Sequence, residues 1–199
     1  MGSPAFNFIV ALPAESKPLI NHFGLKRMQP DGDFPIYQNG AITLVRSGVG
    51  KEASANATHF LLHHCKQQED AIWINLGIAG HATRQIGDMV LAQCTLDDET
   101  QQQWATPSSL TLPCELEMLT TLSQPEFDYT RPGIFDMEAA GFLSVLKGNG
   151  YCVKIISDNS RHPGHGIKAK WVAKLISEQL NTIDQLMNQL SSQDETTKP

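Results

Sequence analysis

The sequence predicts an α/β protein in which helices cover both faces of a mixed β-sheet. Two observations support this prediction. Short apolar segments with the pattern of buried strands alternate with helix-like segments along the 199 residues, an order that is typical of α/β sheets. In addition, Asn39-Gly40 separates two strand-like runs. This pair is a strong signal for an antiparallel hairpin, which makes the sheet mixed rather than purely parallel.

The first half of the chain contains three predicted strand regions and two predicted helices. The run FNFIVAL ends before Pro13 and is rich in aromatic and β-branched residues, so it predicts a buried strand. AESKPLINHF (14–23) predicts a short helix, and the hairpin occupies residues 36–48. The Ala-rich run VGKEASANATHFLLHHC predicts a second helix, and AIWINLGIAG predicts a strand that runs into a glycine loop.

The second half repeats the alternation after an irregular middle segment. Residues 97–133 are polar and contain four prolines, so they predict only a possible short helix at ELEMLTTL. The other predicted elements are a strand at GDMVLAQCTL (87–96), a helix at MEAAGFLSVLKGNG, a strand at YCVKIIS (151–157), a loop at DNSRHPGHG (158–166) and one long amphipathic helix at IKAKWVAKLISEQLNTIDQLMNQL.

Size and polarity predict a single domain over residues 1–190. The chain is 41% hydrophobic and 18% charged, which is enough apolar material for a sizeable core. The segment 191–199, SSQDETTKP, lacks large apolar side chains, so we expect a disordered tail.

Charge and cysteine usage indicate a cytoplasmic protein that binds a small molecule. The net charge is −6, and the 15 Lys and Arg residues are scattered rather than clustered, so we expect no nucleic-acid partner. No apolar run approaches the roughly 20 residues that span a bilayer, so no membrane partner is expected either. The four cysteines show neither C-x-x-C pairs nor a metal-type spacing with histidine, which suits reduced thiols.

Several acidic residues stand in apolar company or directly follow strands. Asp136 and Glu138 lie inside IFDMEAAGF (134–142), where a carboxylate must be solvated, paired or used in function. Glu15 follows the first predicted strand and Asp158 follows a late one, and ligands of α/β sheets bind at these strand ends. Each acid alone also has a simpler explanation, as a first-turn acid, a helix cap or a solvated side chain.

Five motifs taken together resemble the purine nucleoside phosphorylase and methylthioadenosine/S-adenosylhomocysteine nucleosidase superfamily. They are ALPAESKPL (11–19), VRSGVGKEASANAT (45–58), INLGIAGHATRQIGDMVLA (74–92), FDMEAAG (135–141) and VKIISDNS (153–160). The resemblance covers nearly the whole chain apart from its middle segment. It implies a three-layer α/β/α sandwich around a mixed sheet, no cofactor and no metal, and a homodimer.

The resemblance also implies roles for individual residues. Glu15 matches the acid that activates the attacking water, and Asp158 matches the residue that protonates or hydrogen-bonds the purine as it leaves. Glu138 matches the carboxylate that binds the ribose hydroxyls. Further substrate-binding positions are implied for Met137, Ser157, Lys154 and the glycine loop of Gly77, Ile78, Ala79 and Gly80.

Two departures from the family bear on the reaction and the substrate. Asn75 and Ile78 stand where phosphorylases carry an Arg and a hydroxyl residue for phosphate, which favours hydrolysis. The segment that supplies a base-stacking aromatic residue in the family is shortened, and its place could be taken by Phe127, Tyr129, Trp104 or Phe135.

We therefore expect an N-ribosyl hydrolase that cleaves the N-glycosidic bond of a purine nucleoside or an adenosine derivative. Two alternatives remain open at this stage. One is a nucleoside phosphorylase with an altered phosphate site, and the other is a catalytically degenerate nucleoside-binding protein.

Overall fold

Ten strands and five helices make up the described part of the protein. The computed structural model describes residues 4–28, 34–64, 71–106 and 113–197. The strands are β1 (Phe6–Val10), β2 (Lys26–Arg27), β3 (Ile36–Asn39), β4 (Ile42–Arg46), β5 (Ile72–His81), β6 (Met89–Asp97), β7 (Gln103–Ala105), β8 (Glu115–Thr121), β9 (Ile134–Asp136) and β10 (Tyr151–Asp158). The helices are α1 (Pro13–His22), α2 (Lys51–His64), α3 (Ala139–Leu146), α4 (Ala169–Glu178) and α5 (Leu180–Thr197).

The sheet is mixed, and part of it closes on itself. Parallel pairs join β4 to β1, β1 to β5 and β5 to β10, while β3 and β4 form the predicted antiparallel hairpin. From β10 the pairing continues through β6, β8 and β9 and returns to β5, so these five strands form a ring. The mixed α/β prediction is confirmed. The three-layer sandwich is not confirmed, because that prediction contained no closed ring of strands.

Helices lie on two sides of the sheet, as the alternation of buried residues along the strands requires. In β1, Phe8 packs into one apolar cluster together with residues of α1, α4 and α5. The next residue, Ile9, packs into a second cluster with residues of α2 and α3. Successive side chains of a strand point to opposite faces, so the wholly buried β1 is covered by helices on both faces.

Two predicted features of the middle of the chain were wrong. The glycine run is part of β5 rather than a loop. A Cβ on Gly77 would lie 2.9 Å from Glu15 Oε1 and one on Gly80 would lie 2.9 Å from Asp158 Oδ2, so these glycines allow close approach rather than a turn. ELEMLTTL forms β8, because pairing with both β6 and β9 overrides its local helix preference.

The C-terminal segment also differs from its prediction. The single long helix is divided into α4 and α5 at Gln179, whose side-chain amide donates a hydrogen bond to Gly87 O at 2.8 Å. Helix α5 continues to Thr197, so residues 191–197 of the expected disordered tail are helical. The last two residues of that predicted tail lie outside the described part.

Candidate active site

A cavity of about 370 Å³ gathers most of the residues that the sequence singled out. It lies where β1, β5, β9 and β10 end or pass, so the elements themselves bring distant residues together. The predicted site residues that line it are Glu15, Ile78, Ala79, Gly80, Met137, Glu138, Ser157 and Asp158. Gly77 lies beside it against Glu15, whereas Lys154 is not among the lining residues.

Glu15 is a buried acid, not a solvated first-turn acid. Only 2% of the residue is exposed. Its carboxylate accepts hydrogen bonds from the backbone N–H of Leu12 at 2.8 Å and of Ile78 at 2.9 Å, which holds α1 against β5. Burial raises the pKa of Glu15 despite these two donors. The carboxylate is therefore fixed in position and more basic than an exposed one.

Asp136 and Glu138 lie two residues apart but have different hydrogen-bond partners. Asp136 Oδ2 accepts the backbone N–H groups of Glu138 at 3.1 Å and Ala139 at 2.8 Å, so Asp136 caps α3. Glu138 also lines the cavity, and it accepts hydrogen bonds from Gly50 N at 2.9 Å and from Met137 N at 3.4 Å. Burial, and then the nearby charge of Asp136, raises the pKa of Glu138 to about 7.

Lys154 stands behind the cavity wall rather than in it. Its ammonium group lies 2.7 Å from Asp136 Oδ2 and donates to Asn75 Oδ1 at 2.7 Å, with 1% of the residue exposed. Burial disfavours the charged form, but the negative charges of Asp136 and Glu138 outweigh this effect and raise the pKa of Lys154. The structure thus places Lys154, a predicted substrate-binding residue, against Asp136, the cap of α3, and outside the cavity lining.

Asp158 lies at the end of β10 and faces the cavity. Ser157 Oγ donates to its Oδ1 at 2.5 Å, as expected for a supporting residue. Its Oδ2 accepts a hydrogen bond of 2.6 Å from Tyr129 Oη. The loop after β10 closes over the carboxylate, and a Cβ on Gly164 would lie 2.9 Å from Asp158 Oδ2.

The candidate aromatic residues occupy different places. Phe127 and Phe135 line the cavity. Phe127 also stacks on His165 with ring centroids 3.9 Å apart. Trp104 is buried away from the lining, and Tyr129 is bonded to Asp158 as described above. The hydrogen bond between Tyr129 and Asp158 was not predicted, because only the folded chain brings the two residues together and no local pattern indicates it.

The cavity is strongly acidic. Its lining contains Glu15, Glu126, Asp136, Glu138 and Asp158, and no lysine, arginine or histidine among the residues that the structure describes. Lys51, at the start of α2, pairs with Asp97 at 2.8 Å and with Glu99 at 2.5 Å. Such a site can bind hydroxyl groups and move protons, but it offers no cation to an anionic ligand.

Within the described ranges, no group of three or more His, Cys, Asp and Glu side chains is arranged to hold a metal ion. None of the described helices has both the length and the apolar character that crossing a membrane requires.

The fold defines the class of protein to which the chain is similar. Neither the protein-family models nor the curated proteins include a match, but solved structures do. The 5′-methylthioadenosine nucleosidase of Arabidopsis thaliana is 18% identical with a TM-score of 0.78, covering 94% of this chain and 96% of that one. The chain therefore shares the fold of this nucleosidase, in agreement with the resemblance of the motifs.

Two bacterial proteins show the same likeness. The 5′-methylthioadenosine/S-adenosylhomocysteine nucleosidase of S. pneumoniae is 18% identical with a TM-score of 0.73, covering 94% of this chain and 99% of that one. The futalosine hydrolase of Helicobacter pylori is 14% identical with a TM-score of 0.73, covering 94% and 98%. The shared feature is the fold, over nearly the full length of each chain.

Proposed function

We propose that this protein is a nucleosidase that hydrolyses the N-glycosidic bond of a purine nucleoside or an adenosine derivative. The observation that supports this most strongly is the meeting of three acids, Glu15, Glu138 and Asp158, on one cavity. They come from the start of α1, the start of α3 and the end of β10, and each is less than 10% exposed. Solved structures with this fold include nucleosidases and a futalosine hydrolase.

The three acids suit the charge changes of the reaction. When the bond from C1′ to the base nitrogen breaks, its electron pair goes to the base, and positive charge develops on the ribose. In the proposed mechanism Asp158 gives a proton to the base, and water adds to C1′ while Glu15 takes its proton. The ionised Glu138 accepts hydrogen bonds from the ribose hydroxyls and stabilises the positive sugar. The raised pKa of Glu15 makes it a better acceptor of that proton.

Hydrolysis is favoured over phosphorolysis by the electrostatics of the cavity. A phosphate dianion needs cationic donors, and the described lining has five acids and no lysine or arginine. Asn75, at the position where a phosphorylase would carry Arg, is buried beneath Lys154. We therefore propose water, not phosphate, as the acceptor of the ribosyl group.

The organisation of the active protein is also a proposal. We propose that residues 1–190 act as one nucleosidase domain, with 191–199 dispensable for activity. We propose further that the protein is cytoplasmic and works as a homodimer. These last two statements rest on the resemblance to the superfamily and on the composition of the chain.

The test is a product assay on the purified protein. Adenosine, inosine, methylthioadenosine, S-adenosylhomocysteine and futalosine are each incubated with and without phosphate, and the products are separated by liquid chromatography. We expect free base and free ribose or its 5′-substituted derivative without phosphate. Products that appear only with phosphate would indicate a phosphorylase. A nucleoside that raises the melting temperature without being cleaved would indicate a binding protein.

The assay is sharpened by a pair of matched variants. Asp158→Asn keeps the shape of the side chain but removes its acidic proton, so we expect kcat to fall by about 10²–10⁴-fold. Asp184→Asn makes the same change on α5, where Asp184 pairs with His22 on the surface, and should leave the rate unchanged. Equal rates for Asp158→Asn and the wild type would remove Asp158 from the mechanism.

A further inference from the structure

The hydroxyl of Tyr129 is bound on both sides within the site. It donates to Asp158 Oδ2 at 2.6 Å and accepts from the backbone N–H of Gly164 at 2.8 Å. A backbone N–H can only donate, so the phenolic proton has to point at Asp158. The direction of the Tyr129–Asp158 hydrogen bond is thereby determined by Gly164.

The same hydroxyl remains a donor over the whole working range of pH. Burial, followed by the hydrogen bond to Asp158, raises the pKa of Tyr129 above its ordinary value. Tyr129 is 7% exposed, so water does not compete freely for Asp158 Oδ2 from this side. The phenol acts as a fixed O–H dipole directed at the carboxylate.

The backbone at Tyr129 is unusual for a residue with a side chain. Its φ of 52° lies in the left-handed region, which tyrosine rarely adopts. Such conformations concentrate at functional sites, where the surrounding structure maintains them. A Cβ on Gly80 would lie 3.6 Å from Tyr129 Cε1 and 2.9 Å from Asp158 Oδ2. The tyrosine ring and the carboxylate therefore both pack against the backbone of β5 at Gly80, where no side chain intervenes.

We infer that Tyr129 is a positioning residue that holds Asp158 for proton transfer to the departing base. This inference rests on the proposed function. Ser157 Oγ donates to Oδ1 at 2.5 Å, so each carboxylate oxygen receives one hydroxyl donor and the plane of the carboxylate is set from both sides. Once Asp158 has given up its proton, the same two donors stabilise the negative charge that remains.

A residue that acts through Asp158 should matter only when the leaving group needs a proton. A purine leaves poorly as an anion and requires the acid. 4-Nitrophenolate is a stable anion and leaves without one, so general-acid catalysis contributes little to its release. The two leaving groups therefore separate support of Asp158 from a general effect on folding or on ribose binding.

The experiment compares Tyr129→Phe with wild type on the best purine nucleoside and on 4-nitrophenyl β-D-ribofuranoside. We expect kcat on the nucleoside to fall by about 10- to 100-fold, the scale of one hydrogen bond to a charged group, with little change in KM. The loss on the nitrophenyl riboside should be less than about threefold. Tyr37→Phe, a matched change in β3 outside the cavity lining, should leave both rates unaffected.

A double-mutant cycle with Asp158→Asn provides the second readout. If Tyr129 acts through Asp158, removing its hydroxyl from the Asp158→Asn protein should cost less than about threefold more. Equal losses on the two substrates, or losses that multiply in the cycle, would overturn the inference while leaving the nucleosidase intact. If wild type cleaves the nucleoside but not the nitrophenyl riboside, the double-mutant cycle on the nucleoside is the test of the inference. A wild type inactive on both substrates contradicts the proposed function itself, and the inference with it.

Discussion

Glu138 is the residue at which burial and function oppose each other most directly. In the proposed mechanism it must be ionised to accept hydrogen bonds from two ribose hydroxyls, yet burial and the nearby Asp136 disfavour its charge and raise its pKa from 4.5 to about 7. Lys154 offsets part of this effect, but its ammonium group is committed to Asp136 and Asn75. In the free protein this carboxyl therefore loses its proton at a higher pH than an exposed glutamate does.

This raised pKa predicts a specific dependence of stability on pH. Between about pH 4.5 and 7 the folded protein keeps a proton on Glu138 that the unfolded chain has released, so the free energy of unfolding falls as pH rises. The free energy of unfolding of wild type minus that of Glu138→Gln, which does not titrate at this position, should fall by up to about 3 kcal/mol from pH 5 to pH 8. Urea unfolding of both proteins at several pH values measures it.

The matched control is Glu52→Gln, at an exposed acid in the first turn of α2. Its difference from wild type should stay nearly constant over the same range of pH. A Glu138→Gln curve parallel to that of wild type would mean that Glu138 is ionised throughout, and would contradict the raised pKa.

The sequence singled out three acids that line the cavity, but not all of the side chains that contact them. Glu15, Glu138 and Asp158 were found because each directly follows a strand or stands in an apolar run. The contacts of Tyr129 with Asp158 and of Lys154 with Asp136 were not predicted. These residues are 29 and 18 positions apart in the sequence, respectively. Pairing across such separations depends on the register of the sheet, which local patterns do not contain.

Among the elements, the crossing of α2 and α3 determines the position of Glu138. A Cβ on Gly141 in α3 would lie 2.0 Å from the carbonyl oxygen of Lys51, the first residue of α2. The two helices can approach this closely only because Gly141 has no side chain. The approach brings Gly50 N, just before α2, to within 2.9 Å of Glu138 Oε1.

Gly141→Ala should therefore move α3 away from α2 and weaken the site. We expect a loss of stability of about 1–3 kcal/mol, which is typical of overpacking, together with a higher KM for the nucleoside because Glu138 shifts with α3. Thermal unfolding and steady-state kinetics measure the two effects. Ser144→Ala, on the exposed face of the same helix, should change neither by much. An unchanged KM in Gly141→Ala would show that the crossing of α2 and α3 does not determine the position of Glu138.

Elements were predicted well where local pattern and tertiary packing agree. The β3–β4 hairpin and strands β1, β6 and β10 fall in the predicted places. The failures are segments whose local preference is overridden. The Glu-, Leu- and Met-rich ELEMLTTL became β8, since β6 and β9 pair with it on both sides. The run through Gly77 and Gly80 remained a strand, because its glycines make room for acids from elsewhere.

For the molecule as a whole, the closed ring of β5, β10, β6, β8 and β9 connects the site to global stability. Among the described strands, β5 pairs with β1, β9 and β10, while the exposed β2 pairs with β3 alone. Lys154 on β10 bonds to Asp136 on β9 and Asn75 on β5, which joins three ring strands through one buried ammonium group. Opening the ring exposes this charge network, so we expect the ring strands to open only with the whole protein.

Amide hydrogen exchange in Lys154→Met tests this cooperativity. Removing one partner of a buried ion pair leaves Asp136 uncompensated and should cost about 3–5 kcal/mol of global stability. Amides of β5 and β10 that exchange only by global unfolding should then exchange faster by the factor equivalent to that loss, while amides of β2 should exchange as in wild type. Lys174→Met, which removes an exposed i,i+4 pair on α4, should cost less than about 1 kcal/mol and barely alter the ring. If instead the β10 amides of Lys154→Met exchange faster than those at the centre of β5, the ring opens in parts, and the acids at the ends of its strands are held by local contacts rather than by the closed sheet.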